Sequence, residues 1–432
     1  MTSSKKLGLT ITSLLLITAL TILYSDGWRI NLFADNDNNK KIDRPRIEKT
    51  GMLAVRSIPE GAKVYLDGKS ITATDDTITS LKHGKYRLEV KKEGFETWAK
   101  EVEVFPELVT DITAVLVLQS PKLEPLTNTD VTAYAMAHNY NNIAYITKNH
   151  EDPGIWLLPL SGTPINLLKN DAKPLVEDNE HASPSLGEDL WWSPDDKEIL
   201  VKMNNNGYLL YEIKQESSDS IPKPITNVNN VYDRWQKEYR TNFLNDKIKE
   251  VVKTEDFPKW LADDLQNYDS VWSPDENKFF IIKSQKYLKN NNEELQESSN
   301  TKGKSENSTQ KENTKDTDRE TNEIDVIVYN NENPLPVGEK RLTIPIKITN
   351  PDKTNIYWYS DSYHLIIVTE NNDVPNLYTI ELIRIDGTNR TTIYSGLLAS
   401  NKAYPTPAGD KITVLTSLKE NSPTNLYGIS IR

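Results

Sequence analysis

The chain has 432 residues, with 51 Lys plus Arg against 63 Asp plus Glu and a formal net charge of −12. That acidic balance excludes nucleic-acid binding by charge attraction. There is no cysteine, which excludes disulfides, thiolate catalysis, cysteine-ligated zinc and a cysteine-linked lipid anchor.

Lys5 and Lys6 precede an uncharged run over residues 7–24. As a helix this run rises about 27 Å, enough for a bilayer core. Five of its residues are Thr or Ser, whose hydroxyls can bond back to helix carbonyls. The lysines predict a cytoplasmic tail at 1–6, a single-pass transmembrane anchor in the cell membrane at 7–24, and an extracytoplasmic remainder. A cleaved signal peptide is the rival reading, although no A-x-A site follows the apolar core. Residues 25–50 read as a polar spacer. Asp35, Asp37, Asn39 and Asp43 have calcium-loop spacing, but Lys40 and Arg46 stand where such a loop needs glycine and glutamate. No metal site is assigned.

Residues 51–118 alternate as strands do, for instance in Ala62-Lys63-Val64-Tyr65-Leu66 and Tyr86-Arg87-Leu88-Glu89-Val90. Turn signals separate the runs at Asp67-Gly68, His83-Gly84 and Glu93-Gly94. The pattern predicts a small β-sandwich with a hairpin at Asp67-Gly68. Pro59-Glu60-Gly61-Ala62, VYLDGK at 64–69, and the glycines Gly68, Gly84 and Gly94 resemble the PEGA domain. In that family a Gly-x-Thr-Pro turn follows the Asp-Gly, whereas Ile71–Thr74 lacks both glycine and proline. The resemblance implies an exported interaction module without catalytic residues. Tyr65, Phe95 and Trp98 are candidates for an aromatic contact or for core packing.

Beyond residue 119 the chain repeats itself. WSPDDKEILVKM begins at Trp192, WSPDENKFFIIK at Trp272 and WYSDSYHLIIVT at Trp358, with weaker copies at Met136 and Pro405. Each places a turn signal ahead of an apolar strand, and a second strand follows in several copies. With two insertions set aside, one at 232–268 and one at 286–323, the period is roughly 40–50 residues, that of a four-stranded propeller blade. The motifs Trp192-Ser193-Pro194-Asp195, Trp272-Ser273-Pro274-Asp275 and Trp358 with Ser360 and Asp361 resemble the repeats of TolB-like propellers over about 136–432. Five copies are visible and that family has six blades, so the expectation is five to six. Asp196 and Glu276 stand where the family motif has glycine, which predicts turns with negative φ. Proline and aspartate are turn formers here and the tryptophans fill space, so the motif reads as structural.

The last copy ends at its second strand, and PKLEPLTN at 121–128 resembles PKPITN at 222–227. Residues 121–128 are therefore expected to supply the outer strand of the last blade. In the first insertion Trp235, Tyr239, Phe243, Leu244, Ile248, Val251 and Val252 recur at helical spacing. A second short helix begins near Pro258 with Trp260. Such helices either pack on the rim or present Trp235, Tyr239, Phe243 and Trp260 to a partner. The second insertion has almost no apolar residue and reads as disordered.

No G-x-S-x-G, H-E-x-x-H or phosphate-loop motif occurs. Histidines 83, 138, 150, 181 and 364 are scattered, and His364 falls inside a strand as a packed ring. No catalytic, cofactor or metal residue is assigned. The fold expected is all-β: an amino-terminal membrane helix, a small sandwich at 51–118, and a propeller at 119–432 with a helical insertion. The function expected is an extracytoplasmic binding or scaffold protein for a protein or envelope polysaccharide, with no cofactor and no nucleic acid. The alternative is an envelope hydrolase or lyase acting at the propeller mouth.

Overall fold

The computed structural model describes residues 3–25, 28–31, 46–148, 151–160, 172–213, 221–254, 257–267, 270–284, 323–343, 345–419 and 422–432. The calcium-like run at 35–43, His150 and all but Glu323 of the insertion at 286–323 lie outside these residues. Two compact units form. One holds Met1–Gln119, Glu332–Lys340 and Arg432; the other holds Ser120–Asn331 and Arg341–Ile431.

In the first unit the apolar run forms helix α1, Ser3–Ser25. Thr12, Thr18 and Thr21 each donate to the carbonyl four residues back. Among the described residues, no helix is long and apolar enough to cross a membrane. The transmembrane anchor expected at 7–24 is therefore not supported.

The sandwich consists of two sheets. In one, the long strand Arg46–Ile58 pairs antiparallel with Trp28–Asn31 and Asp76–Lys82 and parallel with Val109–Val115. The other runs Lys69–Ala73, Lys63–Leu66, Gly84–Lys91, Trp98–Val104 in spatial order. Leu53, Val55, Val64, Leu88, Val90, Trp98 and Val104 fill the space between them, as alternation on each strand requires. Asp67 and Gly68 both have positive φ, 48° and 77°, which fits a tight hairpin turn. At Gly51 a Cβ would meet the Phe105 carbonyl oxygen at 2.1 Å, so the chain crosses there only as glycine.

Among the described residues, the second unit holds five four-stranded antiparallel sheets. Blade one is Val131–Met136, Asn142–Thr147, Gly154–Pro159 and Lys173–Glu177. Blade two is Gly187–Trp192, Glu198–Met203, Tyr208–Glu212 and Lys223–Pro224. Blade three is Val271–Trp272, Lys278–Ser284, Glu323–Asn330 and Ile346–Thr349. Blade four is Thr354–Trp358, His364–Glu370, Leu377–Arg384 and Thr391–Leu397. Blade five is Tyr404–Pro405, Lys411–Thr416 and Asn425–Ser430, and its outer strand is Leu123–Pro125 from the start of the unit. The expected strand donation is thus present. Leu126, Leu415 and Leu426 of this joint pack with Val131, Tyr134 and Ile143 of blade one, which closes the ring.

Helices α2 (Val228–Tyr239), α3 (Asn245–Val252) and α4 (Lys259–Asn267) come between blades two and three, with a π turn at Arg240–Leu244 after α2. Strand alternation shows their place. In blade two, Ile199, Val201 and Tyr211 face blade one, while Leu200 and Leu210 face Val231 and Trp235 of α2. In blade three, Phe280, Val326 and Val328 face blade four, while Phe279, Ile281, Ile327 and Tyr329 face Leu244, Val251, Leu261 and Leu265. The helices therefore cover the two faces that blades two and three would otherwise turn to each other. Among the described residues, five blades and one helical wedge make the ring.

Candidate functional site

The repeated motif builds the turn between the first two strands of each blade. The Ser193 hydroxyl accepts the N–H of Glu198 at 2.8 Å and donates to Asp195 at 2.7 Å. Ser273 does the same with Lys278 and Asp275, and Thr406 with Lys411 and Asp410. In blade four Tyr359, not Ser360, holds the serine position, because its N–H donates to the His364 carbonyl as Ser193 N–H does to Glu198. Asp361 there accepts from the N–H groups of Tyr363 and His364, and its carboxylate lies 2.6 Å from His364 Nδ1. His364 is 2% exposed, a packed ring as the sequence suggested. Burial pushes the Asp195 carboxyl up, but the bonds from Ser193 and Lys197 outweigh it and hold it below the usual range. These aspartates are acceptors of a turn.

One expectation is corrected. The fourth turn position has positive φ in all five blades: Tyr140 59°, Asp196 57°, Glu276 56°, Ser362 60° and Gly409 65°. At Asp196, Ser362 and Glu276 the side chain reaches the preceding element of the ring, which offsets the strain of the turn. The Asp196 carboxylate accepts the N–H of His138 at 2.7 Å and of Asn139 at 3.0 Å in blade one. Ser362 Oγ accepts the Asp275 N–H of blade three at 3.1 Å. Glu276 pairs with Lys247 of α3 at 2.8 Å, so the helical wedge receives the reach that a blade receives elsewhere. The tryptophans follow the same rule. Trp192 Nε1 donates to Ala135 of blade one and Trp358 Nε1 to Val271 of blade three, whereas Trp272 packs edge-on against Phe243 of the wedge.

First strands from four blades meet at the axis. Tyr404 lies against Tyr134 and Tyr357 with ring centroids 5.4 and 5.2 Å apart. Lys402 donates to Asp189 and to the Tyr134 carbonyl and stands 5.7 Å over the Trp191 ring. Tyr232 of α2 contacts Trp191 edge-on. Burial, then the Asp189 charge, raises the Tyr357 phenol, and burial raises Tyr134 and Tyr404 well above the ordinary value. The phenols stay protonated and the Lys402 and Asp189 charges neutralise each other.

A cleft of about 400 Å³ opens at the seam of blade two and α2, lined by Pro194, Asp195, Lys197, Glu198, Glu212, Lys223, Arg234, Glu238, Tyr239, Asn242 and Phe243. At its base Glu198, 13% exposed, accepts from Arg234 at 2.6 Å and from Trp235 Nε1 at 2.9 Å. Tyr239 and Phe243 stack on one wall, 5.3 Å apart and inclined by 20°. Of the four wedge aromatics singled out from the sequence, Tyr239 and Phe243 thus line a cleft. Trp235 is buried behind it, at 5% exposure. Trp260 belongs to the core with blade three, its ring 4.5 Å from Lys283 Nζ. In the sandwich Trp98 is core, and Tyr65 carries Lys91 over its ring at 4.8 Å. Among the described residues, no group of three or more His, Asp or Glu is placed to hold a metal.

The axial cluster escaped the sequence reading, although a signal existed. Trp191, Tyr357 and Tyr404 share one motif offset, immediately before Trp192, Trp358 and Pro405.

Residues 50–120 match the PEGA domain, so the sandwich is a PEGA domain. No curated protein matches the chain. Among solved structures, TolB from Acinetobacter baumannii is 13% identical, with 80% of this chain and 60% of that chain covered and a TM-score of 0.24. A putative TolB from Agrobacterium tumefaciens is 10% identical over 72% of this chain and 91% of its own, with a TM-score of 0.24. The AtxE2 isopeptidase S527A variant with Astexin3-dC4 bound is 10% identical over 72% and 52%, with a TM-score of 0.31. The chain spans less than two thirds of the length of the Acinetobacter protein. The propeller is defined by the five sheets among its own described residues.

Proposed function

We propose that this chain is an extracytoplasmic binding or scaffold protein, attached to a membrane by α1, that presents its propeller and PEGA domain to a protein partner. The observation that carries this reading is the cleft beside α2, where stacked aromatic rings and charges of both signs line one concavity. Aromatic anchors rimmed by charge are the composition of recognition surfaces. For membrane attachment, Leu14, Leu15, Leu16, Ile17, Leu20, Ile22 and Leu23 are all exposed around the helix. A helix apolar all round needs apolar surroundings. An envelope polysaccharide is the other ligand class consistent with export.

The test is affinity capture from solubilised envelope with the intact chain as bait, beside an Asn242→Trp chain. Asn242 is exposed at the cleft, so the indole fills the concavity without touching the core. A protein recovered in one-to-one amount and lost with the variant supports the reading. Turnover of envelope glycan or peptide fragments by the purified chain, with no captured partner, replaces it by the hydrolase or lyase reading.

A further inference from the structure

We propose that Lys283 of blade three and Asp264 of α4 condense into an intramolecular isopeptide bond, with Asp325 carrying the proton, so that the helical wedge is tied covalently to the ring. Lys283 Nζ and Asp264 Oδ2 are in direct contact. Lys283, Asp264 and Asp325 are 3%, 5% and 5% exposed.

Strand alternation and helical spacing bring the three side chains together. Lys283 and Asp325 stand opposite each other in the register of the two central strands of blade three, so both lie on one face of the sheet. Phe279 and Ile281 on one strand, and Ile327 and Tyr329 on the other, turn that same face to the helices. On α4, Asp264 follows Trp260 by one helical turn, beside Leu261 and Leu265 of the same core. The Trp260 ring stands 4.5 Å from Lys283 Nζ. Amine and carboxyl therefore meet among apolar side chains.

Two opposite charges in such surroundings keep a desolvation penalty that their attraction repays only in part. An amide is neutral and carries no such penalty. Burial pushes the Lys283 ammonium down to about 8, which favours the nucleophilic amine. Burial also pushes the Asp325 carboxyl up, against the Lys347 charge and with that of Glu323, so it holds a proton that it can pass on. The Asp264 carboxylate first takes a proton from the Lys283 ammonium, leaving an amine and a carboxylic acid. The Nζ lone pair then attacks Asp264 Cγ, and the carbonyl electrons move onto oxygen as the N–C bond forms. Asp325 gives its proton to the departing hydroxyl, the C–O bond breaks and water leaves. The Asp325 carboxylate takes the spare proton from nitrogen and ends as it began. One water is lost, and no oxidant or co-reactant is consumed. A chain without cysteine gains in this way the covalent tie that a disulfide supplies elsewhere.

The experiment is mass spectrometry of the purified, denatured full chain, followed by tryptic mapping. The unaltered chain is expected to be lighter than its sequence by one water. Residues 260–278 and 279–286 are expected as one bridged species, uncut after Lys283, with fragment ions placing the bridge at Asp264. Lys283→Arg keeps the charge without the primary amine, and it is expected at full mass with the peptides separate. Asp325→Asn is expected to lower the bridged fraction at least about tenfold, in a chain whose urea unfolding is as cooperative as that of Lys283→Arg. An unaltered chain at full mass with the peptides recovered separately, or a bridge at Asp263, overturns the assignment. A fully bridged Asp325→Asn chain overturns the role given to Asp325.

Discussion

Substituting glycine at the positive-φ turn position should stabilise one blade and destabilise its neighbour. A non-glycine residue in the left-handed region costs about 1 kcal/mol, which glycine recovers in part. At Glu276 the side chain gives back a half-exposed ion pair with Lys247, worth about 0.5 kcal/mol after solvent screening. Glu276→Gly is therefore expected to be neutral or stabilising by about 0.5 kcal/mol. At Asp196 the carboxylate accepts two backbone N–H groups of blade one, each worth about 1.5 kcal/mol as a charge-assisted bond. Asp196→Gly should then cost about 2 kcal/mol net. The difference between the two variants, about 2.5 kcal/mol, is read from urea unfolding of the propeller followed by tryptophan fluorescence. Equal midpoints, or a more stable Asp196→Gly chain, would refute the idea that these side chains offset turn strain by bonding the preceding element.

Three further outcomes follow from other parts of the ring. Removing residues 121–128 strips Leu126, buried in the joint of blades five and one, and uncovers the Asn425–Ser430 edge; a loss of about 3 kcal/mol or more in urea is expected, whereas shortening 286–323 should leave the midpoint in place. Burial pushes the Asp361 carboxyl up, but His364 and the Tyr363 and His364 N–H groups more than reverse this and lower it. Its contribution to stability is thus present above the unfolded value of about 3.9 and lost as pH falls through the lower folded value; Asp361→Asn should flatten that acid limb in pH-dependent melting curves. Lys283 of blade three and Asp264 of α4 are buried groups of opposite charge in contact, so Asp264→Ala, which strands the ammonium, should be less stable by about 3–5 kcal/mol than Lys283→Met with Asp264→Leu; a single variant as stable as the double one would sink the pairing.

Much of the propeller could be read in the sequence because its unit is local. The hydroxyl, proline and aspartate of Ser193-Pro194-Asp195 and Ser273-Pro274-Asp275 act within one hairpin, and the likeness of 121–128 to 222–227 foretold the donated strand. What stayed hidden is tertiary. The positive φ at Asp196 depends on His138 and Asn139, far away in the chain, so no local rule marks it. Helical spacing announced α2 and α3, but only the opposite facing of Leu200 and Ile199 shows where the helices stand. The cleft joins Glu198 on a strand to Arg234 on a helix, and neither residue stands out in its own segment.

The helical wedge has a consequence for orientation. A ring of like sectors offers an arriving molecule several nearly interchangeable rotational settings, each with much the same rim. Replacing one sector with helices, which join blade two through α2 and blade three through α3 and α4, removes that degeneracy. The rim acquires a single bearing, and a visitor that recognises the helical sector can seat itself at one angle only.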